Sequence, residues 1–134
     1  MARRVTASAT INGVDDETFG SNEFGHAEFT RETILGDAQP QNVMRMQCRW
    51  GGECRVELDL TGQMMDNGDV RITGVALLFE GTSDGTNDQD GRTDFTFLVP
   101  RGKTVSNNQR VDNTDEGGDF ATIDMTVNNA VDEN

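Results

Sequence analysis

Two stretches of this 134-residue chain concentrate side chains able to hold a hard cation: GTSDGTNDQDGRTD at 81–94 and DNTDEGGD at 112–119. Calcium takes six to eight oxygens, at about 2.3 to 2.6 Å, from carboxylates, amide side chains and loop carbonyls. The first stretch offers Asp84, Asn87, Asp88, Asp90 and Asp94, and the second Asp112, Asp115, Glu116 and Asp119. Gly85 and Gly117 can turn main-chain oxygens inward beside them. Calcium is therefore the expected cofactor. The spacing is not that of a helix-flanked calcium loop, because Thr86 stands at the first ligand position and Phe97 where the closing Glu belongs. The competing reading is a solvated acidic surface that holds no ion.

Cys48 and Cys54 frame the loop RWGGE. A hairpin centred on that loop sets Met46 opposite Val56 and Met44 opposite Leu58, with the two cysteines facing each other within reach of a disulfide. The pair is expected to bridge if the protein matures in an oxidising, extracellular compartment, and otherwise to pack as two small hydrophobes. Zinc is not expected, since the spacing is not C-x2-C and His26 is the only histidine. Trp50, the only tryptophan, sits at the hairpin tip. Its ring either folds back over the core or projects as a contact for a protein or carbohydrate ligand.

Catalytic constellations are thin. Any Ser-His-Asp triad would rest on His26, in FGHAEF, and no G-x-S-x-G elbow accompanies it. With one Trp and no Tyr there is little from which to build a sugar cleft around a carboxylate pair. The expected protein is not an enzyme.

The elements that must position these residues alternate with period two, and no sustained helical stripe occurs. Val5, Ala7, Ala9 and Ile11 share one face of a first strand, and weaker alternation from His26 to Ile34 gives a second. Val43–Cys48 and Cys54–Thr61 follow; Val70–Glu80 is apolar on both faces at Val75–Phe79, as for a strand covered on both sides. Phe95, Phe97 and Val99 line a sixth strand, Val105 and Val111 bracket a seventh, and Ala121, Ile123, Met125 and Val127 line an eighth. The expected fold is a single antiparallel β-sandwich of about eight short strands, Greek-key or jelly-roll-like, over residues 1–127, with a frayed acidic tail at 128–134. If consecutive strands alternate in direction, every second loop shares an end. One end then collects 12–24, 49–53, 81–94 and 112–119, where thirteen acids face Arg49 and Arg92, a net charge of −11. The other end nets −1.

The whole chain carries 24 acidic residues against 11 basic ones, a net of −13, and the one lysine and ten scattered arginines argue against a phosphate-backbone binder. No apolar run reaches the length of a transmembrane segment, and MARRVTASATI lacks the apolar core of a signal peptide. These residues lead to a non-catalytic, calcium-stabilised binding or adhesion module. The alternative is a structural subunit of a fibre, shell or other homo-oligomer, and a hairpin-presenting inhibitor is a third option without a distinguishing residue.

Overall fold

Period-two alternation calls for extended chain, and a computed structural model, which describes residues 1–16, 21–115 and 118–133, contains eight strands and no helix among those residues. They are β1 (Arg3–Asp15), β2 (Glu23–Leu35), β3 (Gln41–Trp50), β4 (Cys54–Met64), β5 (Val70–Glu80), β6 (Gln89–Val99), β7 (Thr104–Asp112) and β8 (Phe120–Val131). They form two four-stranded antiparallel sheets, ordered β2-β1-β8-β7 and β3-β4-β5-β6. The result is the anticipated eight-stranded antiparallel sandwich. Its connectivity is simpler than a Greek key or jelly roll: every strand lies beside its sequence neighbour, and β8 returns to pair with β1. The chain crosses between sheets twice, at β2 to β3 and at β6 to β7.

The core lies between the sheets. β1 contributes Val5, Ala7, Ala9 and Ile11, and β8 contributes Ala121, Ile123, Met125 and Val127. Facing them are Val56, Leu58 and Leu60 of β4 and Val70, Ile72, Ala76 and Leu78 of β5. Each large aliphatic side chain so buried stabilises the fold by about 1.5 to 3 kcal/mol, less the entropy of ordering it. At the acidic end, where the start of β6 meets the end of β7, the strands approach so closely that a Cβ on Gly91 would press into the carbonyl oxygen of Asp112. Only glycine fits that position.

Two expectations need correction. Residues 128–131 are not a frayed tail but the end of β8, and Asn129 is 0% exposed. Its side chain accepts a hydrogen bond from Arg3 Nε at 2.8 Å and donates to the carbonyls of Gly68 at 2.9 Å and Val99 at 3.0 Å. A buried amide with three partners holds the strand in place where composition suggested fraying. β5 is also not covered on both sides: Val75 and Leu77 point outward, half-buried, into an open groove on the outer face of their sheet.

Candidate metal centre at the acidic end

Because the chain runs up and down, residues 16, 21–22, 51–53, 81–88, 113–115 and 118–119 all fall at one end of the sandwich, as alternation of strand direction required. Cross-links between them are direct. Asp16 N donates to Asp119 Oδ1 at 3.2 Å, Gly81 N to the carbonyl of Glu53 at 3.3 Å, and Thr114 N to the carbonyl of Asp90 at 2.8 Å.

At this end the inward-facing rows of β1, β4 and β5 finish in polar residues. The inward parity of β1 runs through Ile11 and Gly13 to Asp15; that of β5 runs through Ala76 and Leu78 to Glu80; β4 begins inward at Cys54, and Asp119 precedes the inward Ala121. Cys54 Sγ and the carboxylate oxygens of Glu80 and Asp119 lie within 4.8 Å of one another. Asp15 hydrogen-bonds Asp119, and Asn113 Nδ2 donates to Glu80 Oε2. Three carboxyl groups and a thiol thus cap the core in a layer from which most water is removed.

Charge in that layer is expensive. Burial, then the hydrogen bond to Glu80, raises the Asp119 carboxyl from its ordinary 3.8 to about 6, against the opposing pull of Asp15 and the Asp16 N–H. Asp119 therefore keeps its proton into the weakly acidic range. Burial and then the negative charges of Asp119, Asp15, Glu80 and Glu53 push the Cys54 thiol up, and burial does the same to Cys48. Both sulfurs are neutral thiols at physiological pH. The layer offers hard oxygen donors without a thiolate, which is the chemistry of calcium or magnesium rather than of zinc or copper.

The nine residues anticipated as ligands do not form one set. Asp88, Asp90 and Asp115 do come together, lining a shallow depression of about 530 Å3 with Thr114. Asp94 instead lies outward on β6 in a two-pronged pair with Arg92 at 2.8 and 3.0 Å, which holds its carboxyl below the usual range. Asp112 pairs with Arg110 at 2.8 Å on the outer face of the other sheet, and Asp84 with Arg49 at 3.2 Å. Asn87 is exposed. Asp119 turns inward, and Glu116 lies outside the described residues. The sequence reading missed Asp15 and Glu80 as inward donors. Their signal was the unbroken parity from Val5 to Asp15 and from Val70 to Glu80.

The hairpin also differs from expectation. Gly51 and Gly52 both adopt positive φ, 64° and 70°, and Glu53 N bonds the Trp50 carbonyl at 3.4 Å, closing a tight turn of the kind that matches strand twist. β3 is thereby extended to Trp50, and the register moves by two: Cys48 faces Val56, and Cys54 faces Trp50. The cysteines become diagonal neighbours, at a spacing of about 7 to 8 Å that a disulfide does not span without backbone movement. Both are free.

Trp50, anticipated as a ligand contact, is 4% exposed. Its side chain lies against the backbones of β1 and β2 at Gly13 and Gly25, where an added Cβ would sit 2.5 Å from the ring and 2.6 Å from the Trp50 Cβ respectively. It is a core residue. His26 is exposed, its Nδ1 2.6 Å from Asn12 Oδ1 and its Nε2 2.9 Å from Glu28 Oε1. Compared with known proteins, the chain matches no protein-family model and no curated sequence.

Proposed function

We propose that the protein is a non-catalytic β-sandwich binding module whose acidic end is closed by a divalent cation, with calcium as the ion that suits the donors. The observation that carries this reading is the convergence of Glu80 and Asp119 beside Cys54, with Asp15 hydrogen-bonded to Asp119, at the end where four hairpins turn. Carboxylates removed from water must be neutralised by a proton or a cation, and above the pH at which Asp119 loses its proton, a cation is the remaining means. Main-chain carbonyls of the acidic loops complete the shell. Magnesium competes poorly, because its octahedral shell tolerates neither the ligand number nor the flexibility of such loops. The module's partner is a protein rather than a carbohydrate, since Trp50 is withdrawn from the surface and the chain contains no tyrosine.

A calcium titration followed by thermal unfolding tests this. A cation that binds only the folded state raises stability by RT ln(1 + [L]/Kd), about 2.7 kcal/mol at a hundredfold excess over Kd. Glu80→Gln with Asp119→Asn should abolish the increment, whereas Asp88→Asn with Asp115→Asn should leave it. Absence of any calcium-dependent shift in the wild type at millimolar calcium would sink the reading.

A structural subunit is the second reading. It is favoured by β2, a 13-residue edge strand that leaves Phe24, Phe29 and Ile34 exposed. Long edge strands with apolar side chains serve association between chains.

A further inference from the structure

The two outer faces of the sandwich differ in sign. On the outer face of the β3-β4-β5-β6 sheet, the registers bring five arginines, at 45, 49, 55, 71 and 92, against Glu57, Asp59 and Asp94, and Asp84 pairs with Arg49 from the adjoining loop, a net of +1 in a chain whose net charge is −13. At its centre Val75 and Leu77 floor an open groove of about 770 Å3, walled by Arg45, Gln47 and Glu57. The outer face of the β2-β1-β8-β7 sheet reverses the balance, with Glu28, Glu32, Asp112 and Asp124 against Arg4 and Arg110. Across it Phe24, Val14 and Phe120 stand side by side in register, a row in which Phe24 is 71% exposed and Phe120 lies under the Arg110 guanidinium, 3.8 Å from its ring centroid.

We propose that copies of this chain stack face to face and head to tail, the Phe24–Val14–Phe120 row of one copy seating in the Val75–Leu77 groove of the next. Opposite signs favour this pairing over either face meeting itself, because arginine-rich on arginine-rich and acidic on acidic both place like charges together. Each copy offers one row and one groove on opposite faces, so the contact repeats instead of closing on itself. A four-stranded face with strands about 4.8 Å apart and about ten residues long measures roughly 19 by 33 Å. That is the scale of the roughly 800 Å2 per partner that a specific interface buries. The proposal rests on the structural-subunit reading and is independent of any cation.

Two substitutions at outward positions test it by complementation, with light scattering after size exclusion from micromolar to millimolar protein. Phe24→Asp removes the row and Leu77→Asp the groove, so each variant alone should stay monomeric, its association weakened by at least about tenfold. Mixed, they should form a one-to-one dimer that grows no further, because one intact row meets one intact groove. That dimer also establishes that both variants fold. If wild-type chains associate but Phe24→Asp associates equally well, the surface is wrong while the subunit reading survives. If the wild type stays monomeric at millimolar concentration, both fall.

Discussion

Asp119 is the residue on which the acidic end turns. Its folded pKa, raised to about 6 from 3.8, means that the folded state binds more protons than the unfolded chain between those values. Its contribution to stability is therefore intact below about pH 4, lost progressively toward pH 6, and constant above. In EDTA, the difference in unfolding midpoint between wild type and Asp119→Asn should open across this window in favour of the variant. A difference that does not change with pH would show that Asp119 ionises freely. At the same scale Trp50→Ala should cost about 3 to 5 kcal/mol, read by urea denaturation, because it empties the space over Gly13 and Gly25. The buried carboxylates were legible only in part. Acids read as loop or surface by type, and type outweighed the parity that placed Asp15 and Glu80 inward.

At the level of elements, all eight strands followed from alternation, while register and termination did not. The reason is local geometry: two successive positive-φ glycines shorten the loop after β3 to three residues and move the cysteines out of line. The start of β6 at Gln89 and the end of β7 at Asp112 likewise turn Asp94 and Asp112 from loop residues into outward strand residues, each with an arginine two positions before it on the same face. Non-reducing mass spectrometry should find both thiols free, alkylating quickly only after unfolding. The contact between the start of β6 and the end of β7 gives a sharper forecast. Gly91→Ala sets a methyl into the Asp112 carbonyl and should destabilise by about 1 to 3 kcal/mol in chemical denaturation, although alanine favours extended chain more than glycine does.

For the molecule as a whole, the partition of charge between ends was readable from topology alone, since strand direction decides which loops meet. In metal-free protein that crowding should be relieved by screening, so the melting temperature should rise as NaCl approaches about 1 M, where the Debye length is near 3 Å. A fall would contradict the clustering. The charge difference between faces was not readable, because it depends on register across four strands at once. The closure of β8 on β1 has a kinetic meaning. Five of the six strand pairings join sequence neighbours, and connections of three to eight residues link successive strands, but Arg3 pairs with Val131 and Asp132 N bonds the Ala2 carbonyl at 3.1 Å. Bringing those positions together demands the largest loop closure in the molecule, and loop closure slows folding. A circular permutant that joins residues 2 and 132 through a short glycine linker and opens at the exposed residues 37–38, between two strands that do not pair, converts that pairing into a hairpin without creating another end-to-end pairing. It should reach the same sandwich faster than the parent.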